Sequence, residues 1–503
     1  MRVNLPILTM ALLAIWPFVS FLSNNQDGIL TYGGAVSLYG LVFLLGVACL
    51  AGLGVGVLGR SRTAAIAHVL GVSIVLLFSY LSLSNLLSAL GISLGSVRIA
   101  IWLVGALIVL IVVWRVSRGR KFDPVFAAAA LVMTVVPAAG LVSFSMQGNG
   151  VMAPEIERTV ARAEVQPNVY WFIFDAYARA DVLEDYFGYD NSEFIAALAD
   201  RGFDVKDAAL ANYASTKLSI STTASMDYFI PTDASLHPSM WTAPLQGFNP
   251  VVRQFRDLGY RYIHAEPGGN NLKTRCGGIE DLCIKSGPNG MISISEADVG
   301  LLQLTPVFPI IRRLAPNLLS FDFTKIEDVT GRLDFGSQEP FLLFAHILSP
   351  HPPQRFDEAC GLIAQVEFDL AGEDYSELVG GYLNDLKCLN GEILEAVDMI
   401  VAHDKSDPII ILQSDHGFRG TQLRPVREEV RVPLELVSFA NLHAMRMPES
   451  CVTRTGEEFS PVNTFRIVFS CIDGEPREML PGLQFRKENG VLHAFEADAL
   501  PND

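Results

Sequence analysis

Asn168-Val-Tyr-Trp-Phe-Ile-Phe-Asp175 is an unbroken apolar run that starts on an amide and closes on a carboxylate. A short run without alternation suits a strand covered on both faces, as in a parallel sheet packed between helices. The residues that follow fit this reading. Asn191-Ser-Glu-Phe-Ile-Ala-Ala-Leu-Ala-Asp-Arg-Gly202 has a capping residue at its start and a glycine at its stop, which predicts a helix. Arg261–Ala265, Phe341–Ile347, Ile409–Leu412 and Val432–Phe439 are further apolar runs, and a long helical pattern over Tyr375–His403 precedes the third of them. Strands alternating with helices predict an α/β fold with a mostly parallel central sheet and helices on both faces.

Upstream of Asn168 the chain changes solvent. Its 503 residues combine a net charge of −17 with a mean hydropathy of +0.33. The first 150 residues carry a net charge of +6 and the remainder −23. Five apolar stretches, Pro6–Ser23, Tyr32–Leu58, Thr63–Leu90, Ile99–Trp114 and Pro124–Ser145, are each long enough, or nearly so, to cross a hydrocarbon core. The expectation is a five-helix transmembrane region over residues 1–150, a polar connector over 151–167, and a catalytic domain over 168–503. The first stretch lacks a convincing small-residue cleavage site and is read as an uncleaved helix. If all five span, Arg2, Arg60, Arg62, Arg115, Arg118, Arg120 and Lys121 fall on one side. Basic loops stay cytoplasmic, so the N-terminus is expected inside and the larger domain outside, at the cytoplasmic membrane. Leu301–Leu319 is apolar, interrupted by proline and carries Arg312 and Arg313. It could lie on the membrane surface. Packing against its own domain is the expectation.

Cys49 lies in a membrane stretch, whereas Cys276, Cys283, Cys360, Cys388, Cys451 and Cys471 all lie in the larger domain. An even number suits disulfides in an oxidising compartment, and the sequence-local pairs are Cys276–Cys283, Cys360–Cys388 and Cys451–Cys471 among fifteen possible sets. The strongly acidic domain has no basic patch, so nucleic acid is not an expected partner.

In parallel sheets, ligands sit at the carboxyl ends of strands. Three such ends carry chemistry: Asp175; His346 and His351 in Phe344-Ala-His-Ile-Leu-Ser-Pro-His351; and Asp415-His416-Gly417 after the Ile409 run. Between the first two lies Asn212-Tyr-Ala-Ser-Thr216-Lys217-Leu-Ser-Ile-Ser221, rich in hydroxyls. Two carboxylates, an imidazole and a hydroxyl oxygen converging at one sheet edge would hold a divalent cation such as Zn²⁺ or Mn²⁺. A threonine hydroxyl beside such an ion is a competent nucleophile.

In their order along the chain these residues resemble the alkaline phosphatase superfamily, in particular its sulfatase-like, membrane-anchored branch. They are similar to lipoteichoic acid synthases and lipid A phosphoethanolamine transferases. The resemblance implies an alkaline-phosphatase-like α/β domain and a metal held by Asp175, Thr216, Asp415 and His416. It also implies Thr216 as nucleophile and His351 at the substrate phosphate. His346, Lys217 and Arg419 are further candidate phosphate contacts. Asp175 stands where the transferases usually have glutamate. Ala214-Ser-Thr-Lys-Leu-Ser219 does not match the formylglycine motif of sulfatases proper. A second metal would need His346, His351, His443 or His493, so one ion is expected. Ser460-Pro-Val-Asn-Thr-Phe-Arg466 resembles a motif of uncharacterised sulfatase-like proteins. The implied activity is phosphoryl transfer from a membrane phospholipid to an envelope glycan or lipid acceptor. The competing readings are hydrolysis, with water as acceptor, and a non-catalytic envelope binding protein.

Overall fold

Four of the five apolar stretches before residue 150 form α1 (Leu5–Asn24), α2 (Arg60–Phe78), α3 (Tyr80–Ala89), α4 (Gly95–Ser117) and α5 (Asp123–Gln147). This is a computed structural model that describes residues 5–25, 60–92, 94–147, 166–228, 239–268, 274–285, 292–293, 296–315, 319–320, 323–337, 339–352, 354–363, 375–418, 434–449, 451, 459–488 and 491–495. Among these, α1, α4 and α5 are long and apolar enough to cross a membrane. The count rises to four if α2 and α3, bent by 45° at their junction, make one span. The stretch Tyr32–Leu58 lies outside the described residues, so the expected count of five is met only in part. The helices satisfy polar side chains on one another, as apolar surroundings require. Trp102 Nε1 donates to Leu76 O at 3.1 Å, and Thr134 Oγ1 donates to Leu12 O at 3.0 Å.

By backbone contacts the chain forms two units, residues 1–149 with 294–318, and residues 150–293 with 319–503. The second unit is α/β. Its strands are β1 (Val169–Asp175), β2 (Phe203–Val205), β3 (Arg261–Ala265), β4 (Leu282–Ile284), β5 (Ile292–Ser293), β6 (Leu319–Ser320), β7 (Phe341–Pro350), β8 (Ile409–Ser414), β9 (His443–Arg446), β10 (Gln484–Glu488) and β11 (Val491–Phe495). Seven make one sheet in the order β2-β9-β8-β1-β7-β3-β4. Strands β8, β1, β7, β3 and β4 pair in parallel, while β9 runs against both its neighbours. The expected mostly parallel sheet is present, with β1 at its centre.

Helices of this unit are α6 (Ala180–Phe187), α7 (Ser192–Asp200), α8 (Thr216–Ser225), α9 (Ser239–Leu245) and α10 (Pro250–Asp257). The two helices of 294–318, α11 (Glu296–Gln303) and α12 (Val307–Leu314), belong to the other unit. Then follow α13 (Ile326–Thr330), α14 (Tyr375–His403), α15 (Leu434–Phe439) and α16 (Thr464–Asp473). Tyr170, Phe172 and Phe174 of β1 enter a core with residues of α6, α7 and α14, whereas Val169, Trp171 and Ile173 enter a second core with residues of α8, α9, α10 and α16. Alternate side chains point to opposite faces, and both faces are covered, so the strand shows no polar alternation. Asn168 pins the starts of the three central strands: its Oδ1 accepts from Phe341 N at 3.0 Å, and its O accepts from Ile409 N at 2.9 Å.

Two expectations need correction. Val432–Phe439 does not form a strand. Leu434–Phe439 is helix α15, and the sheet position beside β8 goes to His443-Ala-Met-Arg446. A short apolar run cannot be assigned to helix or strand by periodicity alone. Leu301–Leu319 is expected to pack on its own domain, yet all of it except Leu319 falls in the segment 294–318 that groups instead with the N-terminal helices.

Candidate metal centre and active site

The parallel register of β1, β7 and β8 delivers Asp175, His346 and Asp415-His416 to one end of the sheet. Ligand atoms of Asp175, His346 and Asp415 all lie within 4.8 Å of one another, and all three residues are buried. His416 completes the group. Its Nε2 is 3.6 Å from Asp175 Oδ1 and 3.5 Å from Asp415 Oδ2, while His346 Nε2 approaches the other Asp175 oxygen at 3.7 Å. His346 is therefore part of this cluster, although the sequence placed it with the substrate contacts.

Backbone geometry fixes the group. Ala176, with φ 68°, turns the chain directly after Asp175, and its N–H donates to Asp415 Oδ1 at 3.0 Å. A left-handed residue other than glycine is a strained conformation of the kind that collects at functional sites. Asp415 Oδ1 also accepts from His416 N at 2.8 Å. Ser414 Oγ accepts from Tyr177 N at 2.8 Å and lies 2.8 Å from Phe174 O, which ties the ends of β1 and β8.

The imidazoles are oriented by what their other nitrogens touch. His416 Nδ1 is 2.7 Å from Gly417 O, a carbonyl that can only accept, so Nδ1 carries a proton and Nε2 is the nitrogen directed at the carboxylates. His346 Nδ1 is 2.6 Å from Thr274 Oγ1. Thr274 O accepts from His264 Nε2 at 2.9 Å, and His264 Nδ1 is 3.1 Å from Tyr262 Oη. Burial pushes His264 down to about 4, which keeps that imidazole neutral. The Cys276–Cys283 disulfide ties the Thr274 segment to β4.

The donor set fits a divalent cation. Two carboxylates buried this close repel unless a positive charge lies between them. His346 Nε2, His416 Nε2 and Asp415 Oδ2 are buried with no hydrogen-bond partner among the described residues. Two oxygen and two nitrogen donors suit Zn²⁺ or Mn²⁺.

Thr216 is the first residue of α8, is 2% exposed, and its Oγ1 has no hydrogen-bond partner among the described residues. α8 packs on the face of the sheet shared by Trp171, Ile173 and Phe344. By the alternation of β1 and β7, Asp175 and His346 point to that same face. The first intrahelical bond of α8 runs from Ser219 N to Ser215 O at 2.9 Å, so the amides of Thr216, Lys217 and Leu218 lie ahead of it. Such an N-terminus favours an anion. Lys217 lies over the Trp241 ring, 5.4 Å from its centroid.

His351 follows β7 in a clamped loop. Arg355 Nη1 donates to His351 O at 2.8 Å and to Asp385 Oδ2 at 3.3 Å, and Asp385 Oδ1 accepts from Arg355 N at 2.7 Å and Phe356 N at 2.8 Å. The Cys360–Cys388 disulfide joins the same loop to α14. A third disulfide, Cys451–Cys471, holds residue 451 to α16. Arg419 lies outside the described residues. His443 and His493 stand outside the cluster: His443 stacks on Phe459 with ring centroids 3.9 Å apart, and His493 is exposed on β11.

Sequence reasoning missed Thr274, His264, Arg355 and Asp385. Only His264, a histidine inside the apolar strand Arg261–Ala265, left a signal. The glycine of Asp415-His416-Gly417 has a steric reason. A Cβ there would overlap the carbonyl oxygens of Val437 and Ala440, both backbone atoms that no rotamer change can move. Gly417→Ala is expected to destabilise the protein by about 3 kcal/mol or more, as forced overpacking against backbone does. Thermal unfolding of the purified full-length protein measures this, and an unchanged midpoint would contradict it.

No protein-family model matches the sequence, and no curated protein matches it. Solved structures similar to the chain include the integral membrane lipooligosaccharide phosphoethanolamine transferase A of Neisseria meningitidis, with 13% identity over 92% of this chain and 95% of that one and a TM-score of 0.44. A protein in the alkaline phosphatase superfamily from Vibrio parahaemolyticus has 13% identity, coverage of 69% and 81%, and a TM-score of 0.42. The lipoteichoic acid synthase LtaP of Listeria monocytogenes has 14% identity, coverage of 65% and 76%, and a TM-score of 0.37.

Proposed function

We propose that the chain is a membrane-held, metal-dependent phosphoryl-group transferase. Thr216 is its nucleophile, and it moves a phospholipid headgroup of phosphoglycerol or phosphoethanolamine type to a cell-envelope glycan or lipid acceptor. The observation that carries this is the buried Asp175–His346–Asp415–His416 cluster, with the N-terminal threonine of α8 on the same face of the sheet. The domain that bears it is read as extracytoplasmic, on the side reached by the chain after α5.

Asp175, Asp415 and His416, with Thr216, would hold one divalent cation, and His346 stands within reach across Asp175. When bound, the ion would lower the free energy of negative charge on the phosphoryl oxygens and on the attacking hydroxyl. In the first displacement Thr216 Oγ1 bonds to phosphorus and gives up its proton to solvent. The phosphorus–oxygen bond to the lipid alcohol breaks, and His351 protonates the departing oxygen. The amides at the start of α8 and Lys217 bind the remaining phosphoryl oxygens. In the second displacement an acceptor hydroxyl bonds to phosphorus and passes its proton to His351, the Oγ1–phosphorus bond breaks, and Thr216 Oγ1 takes a proton back from solvent. Water in place of that hydroxyl gives a hydrolase. Asp175, at a position where similar transferases usually have glutamate, favours this second reading.

The test is mass spectrometry of the full-length protein incubated with membrane phospholipids while acceptor is withheld. The peptide containing Thr216 should gain the mass of phosphoglycerol or phosphoethanolamine. Turnover with no adduct on Thr216, or with an adduct elsewhere, would overturn the assignment.

A further inference from the structure

The segment 294–318 leaves the α/β unit between strands β5 and β6, which pair in parallel at its base through Ile292↔Leu319 and Ser293↔Ser320. It belongs to the unit formed by the N-terminal helices. Two contacts fix it there. Leu81 N donates to Leu304 O at 3.3 Å, and the backbone at Gly300 lies against the Phe21 ring so closely that a Cβ would sit 2.9 Å from Phe21 Cζ. Phe21 is three residues from the end of α1, about 4.5 Å at 1.5 Å per residue. Leu81 is the second residue of α3, just after the bend at Ser79. Both anchors stand near helix ends of the N-terminal unit.

On this mount, α12 buries Phe308 and turns Val307, Ile310 and Leu314 outward, at 39%, 43% and 77% exposure. With Ile311 these residues fall at i, i+3, i+4 and i+7, a single apolar stripe. Arg313, on the flank of the stripe, is exposed. An apolar stripe bordered by a cation is the pattern of a helix lying in the plane of a bilayer interface.

We propose that α12 seats this stripe at the boundary between headgroups and acyl chains of the bilayer that the N-terminal helices cross, with Arg313 at the lipid phosphates. The α/β unit is thereby tied to the membrane unit at three chain crossings, after residue 149 and on either side of 294–318. This inference is independent of the chemistry proposed for Thr216.

The test uses the full-length chain with Cys49→Ser, which leaves only the six cysteines that form disulfides. Single variants Val307→Cys, Ile310→Cys, Leu314→Cys and Arg313→Cys are spin-labelled and reconstituted into phosphatidylethanolamine–phosphatidylglycerol vesicles. Collision with oxygen, which partitions into the acyl region, is compared with collision with a water-soluble nickel chelate. Labels 5–10 Å inside the interface should show an oxygen-to-nickel ratio roughly tenfold above that at position 313. Nickel access at all four positions would place α12 in water and overturn the proposal. A label at 314 that meets neither collider would mean that protein covers the stripe, which overturns it as well.

Discussion

Thr216→Ala is expected to abolish turnover, lowering kcat by about three orders of magnitude or more, as removal of a covalent nucleophile does. The fold should scarcely notice. Thr216 is buried, yet its Oγ1 has no hydrogen-bond partner among the described residues, so truncation leaves no protein group newly unsatisfied. The lost methyl should cost about 1 kcal/mol. Thr216→Ser keeps the hydroxyl and should retain activity within about tenfold, with the deficit in kcat from looser placement. A structural role would give a different pattern, with stability and activity falling together and serine failing to rescue. Headgroup release from a fluorescent phospholipid, measured beside thermal unfolding of each variant, separates the two. Unchanged turnover by Thr216→Ala would end the nucleophile assignment.

The strands that build the site were legible because their chemistry is local. Val169–Asp175, Arg261–Ala265 and Ile409–Ser414 are apolar on both faces, and a strand sealed on both sides leaves that mark in its own residues. The strand-end rule then selected Asp175, His346, Asp415 and His416 without any contact information. β9 was not legible, since His443-Ala-Met-Arg446 is four residues long and owes its place to pairing with β8. The apolar run just before it is as good a short helix as a strand, and tertiary packing decided the matter. Residues that act through others left the least trace. Thr274 and Asp385 meet their partners 72 and 30 positions away. No spacing rule reaches that far. The orientation of the imidazoles rests on such bonds, so donor identity could be read from sequence but donor direction could not.

Asp175→Asn should uncouple the stability of the protein from metal. In the wild-type chain the buried carboxylates of Asp175 and Asp415 and the His346 imidazole offer ligand atoms within 4.8 Å of one another, and His416 Nε2 stands 3.6 Å and 3.5 Å from oxygens of the two carboxylates. Without a cation this is a repulsive arrangement, and with one it becomes an attractive arrangement, so the folded state is stabilised by the binding free energy. At a free ion concentration of about 100 times Kd that stabilisation is roughly 2.7 kcal/mol. Asparagine removes one of the two charges. The chelator-treated variant is therefore expected to melt above the chelator-treated wild type, because a like-charge contact has gone. Added Zn²⁺ or Mn²⁺ should raise the wild-type midpoint but leave the variant nearly unmoved, with affinity weakened at least about a hundredfold and turnover lost. Asp175→Glu keeps the charge and adds a methylene to a site that is 1% exposed, which strains the approach of His346 and His416 by about 1–3 kcal/mol of overpacking. It should retain metal-dependent stabilisation at reduced affinity. The measurement is a metal titration of thermal unfolding on the full-length protein, with bound metal quantified after dialysis. Equal response of wild type and Asp175→Asn to both ions would remove the cluster from consideration as the metal centre. A response by Asp175→Glu but not by Asp175→Asn would locate the requirement in the carboxylate charge.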